Sequence, residues 1–130
     1  MQGTIMLSNK EGQSVPQVNF TIRANDQWQV RTSDEIFTNK KVILFALPGA
    51  FTPTCSSTHL PRFNELAPTF YRQGIDEILC LSVNDTFVMN SWAQDQNAEH
   101  ISFLPDGNGE FSKAMEMLVD KSDIGFGKRS

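Results

Sequence analysis

The chain has only two cysteines, Cys55 and Cys80, among its 130 residues. So small a number excludes a disulfide scaffold and leaves each thiol either buried and inert or reactive. Basic residues are also outnumbered, because 11 Lys and Arg face 15 Asp and Glu and the net charge is −4. Since phosphate contacts need a basic face, this balance argues against nucleic acid and against an anionic membrane surface as partners.

Long hydrophobic runs are lacking as well. The longest, residues 42–47, has the length of a strand and falls far short of the roughly 20 residues of a membrane span. The N-terminus has no basic region followed by an apolar core, so it does not read as a signal peptide, and we expect a cytoplasmic location. What is present is a hydrophobic content of 39% with ten Phe residues. We expect residues 1–130 to form one globular domain.

Strands and helices are predicted to alternate along the chain. Apolar and polar residues alternate over residues 18–22 and 28–30, with turn-forming Asn25-Asp26 between them, which predicts a hairpin. The continuous apolar run at 42–47 predicts a central strand covered on both faces, and 75–83 and 101–104 predict two more strands. Helices are predicted at 33–37, between Cys55 and Gly74, from Asn84 or Asp85 to about Gln96, and over 110–119. This order implies an α/β fold with parallel strands.

Cys55 follows the first buried strand and lies at the start of a predicted helix. Unpaired backbone N–H groups and the positive end of the helix dipole favour the thiolate there, and the thiolate is the nucleophilic form. Thr52 places a hydroxyl where it can accept a hydrogen bond from the thiol, or donate one to the thiolate or to a bound oxygen. Pro48 and Pro53 stiffen the loop into a preorganised site for a small polar substrate. Cys80 lies inside an apolar strand, so we expect a core role for it.

Two other chemistries are weighed against this one. His59 comes one helical turn after Cys55, but no further residue has ligand spacing, so we expect no metal site and expect His59 to pack against the loop. Arg62 invites comparison with cysteine phosphatases, which need five residues between Cys and Arg. Six residues separate them here and no glycine-rich cradle is present, so that hypothesis is set aside.

Pro48-x-x-x-Thr52-x-x-Cys55 matches the active-site motif of the peroxiredoxins. Longer stretches resemble the type 5 subfamily, including bacterial members fused to a glutaredoxin domain. They are residues 48–61, 80–88 with Trp92 after them, 104–109 and 125–130. The resemblance covers nearly the whole chain. It implies a thioredoxin-like α/β fold of the peroxiredoxin type over residues 1–130.

The resemblance implies a thiol-dependent peroxidase that reduces hydrogen peroxide and alkyl hydroperoxides. Cys55 would be the peroxidatic cysteine, oxidised to a sulfenic acid. Thr52 would hold the peroxide, Pro48 would shield the thiolate from water, and the backbone N–H groups of Thr54 and Cys55 would bind the peroxide oxygens. No cofactor is implied beyond an external thiol reductant, either glutathione with glutaredoxin or thioredoxin. We also expect a homo-oligomer.

The family's site includes an arginine beside the cysteine, and the family pattern places it just after Ser130, in a strand that normally precedes two more. We therefore expect the C-terminal strands to be missing from this chain. Arg129 is close in sequence to the expected position, but we do not expect it to be the equivalent residue. Arg62 lies about two helical turns beyond Cys55, too far along the helix to help. The alternative function is a non-catalytic thioredoxin-like module or an inactive truncated fragment.

Overall fold

The computed structural model describes residues 9–53 and 55–130, with the backbone alone at Cys55 and Ser57. The predicted hairpin is confirmed: strand β1 (Asn19–Ala24) pairs antiparallel with strand β2 (Gln27–Thr32). Asn25 and Asp26 form its two-residue turn with φ values of 52° and 59°. Asn and Asp tolerate this left-handed conformation better than other side chains, so the turn follows from the sequence.

A three-stranded parallel sheet carries the fold. Strands β3 (Val42–Ala46), β4 (Glu77–Ser82) and β5 (Ser102–Pro105) lie in the order β3-β4-β5. Among the described residues, the prediction that residues 42–47 form the central strand is wrong, since β4 is the middle strand and β3 lies at the edge. An apolar run indicates burial on the two faces of a strand but says nothing about how many neighbours the strand has, and the residues of β3 are in fact only half-buried or exposed.

The helices are α1 (Ser33–Phe37), a π-helical turn (Cys55–His59) that continues into α2 (Leu60–Arg72), α3 (Thr86–Asp95) and α4 (Glu110–Ala114). Of the two caps left open for α3, Asp85 is the one used: its carboxylate accepts from the Val88 N–H at 2.9 Å. The predicted helix over 110–119 is too long. Glu116 has a left-handed backbone with φ 59°, which ends helical geometry before that point.

A short hairpin follows α4. Strand β6 (Val119–Asp120) pairs antiparallel with strand β7 (Lys128–Arg129), and a single 3-10 turn (Ser122–Ile124) lies between them. Val119 stands opposite Arg129 in the register. The hairpin thereby fixes the direction in which the Arg129 side chain leaves the backbone.

The core lies on both faces of β4. Ile78 and Cys80 pack on one face with the indole of Trp92, while Leu79 and Leu81 pack on the other. Because successive strand residues point to opposite faces, one strand serves both clusters. Cys80 is fully buried, which confirms the core role expected for it. Within the described residues, no helix combines the length and the apolar character that a membrane crossing requires.

Candidate active site

The loop from Leu47 to Cys55 leaves the sheet at the carboxyl end of β3. The Leu47 N–H still donates to the Leu81 carbonyl at 3.0 Å, after which the chain turns away. Thr52 closes this turn, because its hydroxyl donates to the Gly49 carbonyl at 2.7 Å. In parallel α/β sheets, ligand sites lie at this edge, beyond the carboxyl ends of the strands. The loop therefore lies at the edge of the sheet where the sequence predicts it.

The helical backbone starts next to Cys55. The Ser56 N–H donates to the Thr52 carbonyl at 2.9 Å, and Cys55 is the first residue of the π-helical turn. Single π-helical turns are frequent at functional sites. The first turn is also tied to the core, since the indole N–H of the fully buried Trp92 donates to the Ser56 hydroxyl at 2.9 Å. Trp92 thus fixes the helix start one residue away from the cysteine.

A second anchor comes from the end of β4. The side-chain oxygen of Asn84 accepts from the Ala50 N–H at 3.0 Å and lies 2.7 Å from the Ser82 hydroxyl. Ser82 is fully buried, and its hydroxyl is also 3.0 Å from the Leu47 carbonyl. One hydroxyl proton serves either acceptor. These polar groups hold both ends of the 47–50 segment against β4.

A third anchor comes from the C-terminal hairpin. Nη1 of Arg129 donates to the carbonyls of Pro48 at 3.3 Å and Val83 at 3.2 Å. Its Nε donates to the Phe126 carbonyl at 2.8 Å, and the guanidinium lies 5.4 Å from the centre of the Phe126 ring. The Arg129 side chain therefore connects the ends of β3 and β4 to the hairpin.

Gly49 lies between the Thr52 side chain and the Arg129 guanidinium. A Cβ atom at this position would lie 3.0 Å from Cγ2 of Thr52 and 3.3 Å from Nη1 of Arg129. Both distances are shorter than ordinary van der Waals contact between such atoms. A glycine here allows the Thr52 turn and the Arg129 guanidinium to pack on the same few atoms of backbone.

The carboxylate of Asp120 accepts two hydrogen bonds within the C-terminal hairpin. Asp120 accepts hydrogen bonds from the Ser122 hydroxyl and from the Ser122 N–H, the second at 2.8 Å. These two bonds, the hydroxyl first, hold the pKa of Asp120 below its ordinary value, and the nearby Lys128 adds to the effect. The ionised Asp120 thus stabilises the turn between β6 and β7.

Pro48 and Thr52 lie in the loop that leads to Cys55. Pro48 is exposed and Thr52 is half-buried in the loop. Thr54 lies outside the described residues, and only the backbone of Cys55 is described, at the helix start. His59 is exposed on the π-helical turn. The side chains that the structure describes contain no group of three His, Cys, Asp or Glu that would suit a metal ion.

Arg62 does not contribute to this site. Its guanidinium is 3.1 Å from the carboxylate of Glu65 on the exposed side of α2, and 63% of its side chain is accessible. Sequence reasoning missed the loop anchors Ser56, Ser82 and Asn84. A signal was present for two of them, because Ser82 and Asn84 are polar residues at the end of an otherwise apolar strand, where side chains point toward the neighbouring strand ends.

The sequence is similar to a known family and to peroxiredoxins of other organisms. The Redoxin family profile matches residues 10–129. The chain is 63% identical over 124 residues to the hybrid peroxiredoxin hyPrx5 of Haemophilus influenzae, covering 95% of this chain and 52% of that protein. It is 49% identical to a peroxiredoxin of Rhizobium etli, covering 89% of this chain and 70% of that protein. The chain thus spans about half of the first relative and about two thirds of the second.

A solved structure agrees with these relatives. Reduced Prx3 from Vibrio vulnificus in complex with hydrogen peroxide superposes with a TM-score of 0.89 at 41% sequence identity. The match covers 95% of this chain and 77% of that one. The expected thioredoxin-like fold and the resemblance to type 5 peroxiredoxins are confirmed.

Proposed function

Because this chain belongs to the Redoxin family, and within it to the peroxiredoxins, we propose that it is a thiol-dependent peroxidase with Cys55 as the peroxidatic cysteine. The observation that carries the proposal is the position of Cys55 in the first turn of the helix. There the Thr52 carbonyl is already bonded to the Ser56 N–H at 2.9 Å, so the helix N-terminus faces the loop. N–H groups of a first helical turn have no acceptor within the helix and stabilise a thiolate.

Thr52 has a defined role in this proposal. Its hydroxyl proton is used in the 2.7 Å bond to the Gly49 carbonyl, and the oxygen lone pairs remain for a hydrogen bond from outside. In this arrangement Thr52 accepts from the O–H of a hydroperoxide and orients its O–O bond toward the sulfur. Backbone N–H groups of Thr54 and Cys55 bind the peroxide oxygens, and Pro48 limits the access of water.

The reaction then proceeds in two stages. The Cys55 thiolate attacks one peroxide oxygen, an S–O bond forms, the O–O bond breaks, and the departing oxygen leaves as water or an alcohol after taking up a proton. The sulfur is thereby oxidised to sulfenic acid. One external thiol displaces water to give a mixed disulfide. A second external thiol releases Cys55 as the thiol and leaves as an oxidised disulfide.

The substrate and partners are part of the proposal. Hydrogen peroxide is supported by the V. vulnificus relative, whose structure contains it, and alkyl hydroperoxides share the same O–O bond. Cys80 is fully buried in β4, so recycling uses external thiols: glutathione with glutaredoxin, as the subfamily resemblance suggests, or thioredoxin. No cofactor is needed. Residues 1–130 act as one domain in a cytoplasmic homo-oligomer.

The test is peroxide reactivity resolved by cysteine. The protein is mixed with hydrogen peroxide, and sulfenic acid is trapped with dimedone and located by peptide mass spectrometry. We expect trapping at Cys55, its loss in Cys55→Ser, and no effect of Cys80→Ser. A Cys55 thiol that reacts no faster than a free cysteine would refute the peroxidase and indicate a non-catalytic thioredoxin-like module. Peroxide turnover with each reductant in turn then identifies the recycling thiol.

A further inference from the structure

We propose that Arg129 is a positioning residue that fixes the Pro48–Cys55 loop through backbone carbonyl groups. The proposal rests on the proposed function, since it assigns to Arg129 the geometry of the site that binds peroxide. Nη1 of Arg129 reaches Pro48, two residues beyond the end of β3, and Val83, one residue beyond the end of β4. One side chain from the far end of the sequence therefore joins the two strand ends at the site.

The guanidinium is itself held in place. Its Nε donates to the Phe126 carbonyl at 2.8 Å, and its central carbon Cζ lies over the Phe126 ring. An arginine fork supplies several donors in fixed directions, whereas a lysine ammonium is a single nitrogen on a flexible stem. The contacts therefore need the guanidinium, and a positive charge alone does not reproduce them.

The contact reaches Thr52 through Gly49. Both Nη1 of Arg129 and Cγ2 of Thr52 lie within 3.3 Å of the position that a Cβ of Gly49 would occupy. If the guanidinium moves, the Pro48–Gly49 backbone loses a support on the side where the Thr52 turn packs. The Gly49 carbonyl is also the acceptor that orients the Thr52 hydroxyl. Arg129 thus orients the Thr52 hydroxyl, which is proposed to bind peroxide, by supporting the Gly49 backbone whose carbonyl accepts from that hydroxyl.

The hydrogen bonds of Arg129 to the Pro48 and Val83 carbonyls are called the Arg129 clamp below. Amide hydrogen exchange on the full chain tests this clamp independently of activity. We compare wild type, Arg129→Lys and Arg129→Gln with Lys128→Ala, which removes the adjacent exposed cation. In the Arg129→Lys and Arg129→Gln variants we expect amide exchange in peptides covering residues 47–56 to rise by about tenfold or more, with β4 still protected. In Lys128→Ala we expect wild-type exchange. Unchanged loop exchange in Arg129→Lys, or an equal rise in Lys128→Ala, would overturn the proposal.

Two kinetic rates separate positioning from folding and from charge. Alkylation of Cys55 by iodoacetamide needs only the thiolate, whereas reaction with hydrogen peroxide also needs the oriented loop. We expect Arg129→Lys to lower the peroxide rate by about tenfold or more relative to the alkylation rate. Equal losses in both rates would overturn positioning. Loss of β4 protection in both Arg129 variants would likewise overturn a local role.

The outcomes also distinguish this clamp from the peroxidase itself. If wild-type Cys55 reacts with peroxide no faster than a free thiol, the proposed function fails, and the exchange data alone judge the clamp. If wild type reacts fast and Arg129→Lys keeps both the rate and the loop protection, the peroxidase stands and the clamp fails.

Discussion

The hydrogen bond between the Trp92 indole and the Ser56 hydroxyl anchors the first helical turn to the core, and its removal tests this anchor. Ser56→Ala removes the acceptor of an N–H group on a fully buried side chain, at a donor–acceptor distance of 2.9 Å. Leaving a buried donor unsatisfied costs about 1–3 kcal/mol. Ala has a slightly better helix propensity than Ser, which offsets about 0.4 kcal/mol of that cost.

A double-mutant cycle isolates this bond. Trp92→Phe keeps an aromatic ring but has no N–H, so Ser56→Ala in that background should cost almost nothing. We expect a coupling free energy of about 1.5–2 kcal/mol between the two positions. The helix-propensity difference is the same in both backgrounds and cancels.

The assay is urea denaturation of the four proteins followed by circular dichroism, with Thr58→Ala as the matched control. Thr58 is an exposed residue of the same π-helical turn, and we expect its replacement to change the free energy of unfolding by less than about 0.5 kcal/mol. We also expect Ser56→Ala to slow the reaction of Cys55 with peroxide, by about tenfold, because the helix start is less well fixed. A coupling energy near zero would refute the anchoring argument.

Three further predictions concern the loop and the hairpin. Asn84→Ala should destabilise the protein by about 2 kcal/mol in urea denaturation, because it removes the half-buried side-chain oxygen that accepts from the Ala50 N–H. The control Asn90→Ala loses only an exposed hydrogen bond and should cost less than about 0.5 kcal/mol. Equal costs in the two variants would contradict the anchoring role of Asn84. Gly49→Ala should slow the peroxide reaction by about tenfold, measured by stopped flow, since its methyl group would approach Cγ2 of Thr52 to 3.0 Å; a wild-type rate would show that the loop gives way freely. Folding lowers the pKa of Asp120, so the stabilisation of the hairpin by this carboxylate is present at neutral pH and is lost as pH falls through that lowered pKa. NMR titration of the hairpin amides should show the transition below about pH 4. The same transition in Asp120→Asn would exclude this carboxylate as its cause.

Much of the fold could be predicted because local patterns determine it. Asn25-Asp26 specifies a hairpin turn on its own, and the apolar spacing of Leu60 and Ala67 places the buried face of α2. The helix expected over 110–119 was wrong at its end. The apolar residues there continue a helical pattern, but Glu116 turns into the left-handed region and the chain enters β6 instead.

The candidate site could be predicted in its loop but not in its supports. The motif of Pro48, Thr52 and Cys55 lies within one short stretch of the sequence, residues 48–55, and predicts the loop directly. Arg129 lies 81 residues from Pro48, and Trp92 lies 36 residues from Ser56. Periodicity reports which face a residue occupies within its own element, but these contacts depend on how separate elements meet. The order of strands in the sheet is hidden for the same reason, which is why β3 was expected to be central.

In the proposed peroxidase, the loop is a preorganised peroxide site in which the Thr52 hydroxyl orients the substrate. The second-order rate constant of Cys55 with hydrogen peroxide in Thr52→Val and Thr52→Ser measures this contribution of the hydroxyl. Val keeps the shape of Thr without the hydroxyl, and Ser keeps the hydroxyl. We predict a loss of about a hundredfold in Thr52→Val and a rate in Thr52→Ser within about tenfold of wild type. A Thr52→Val protein that reacts as fast as wild type would contradict the account.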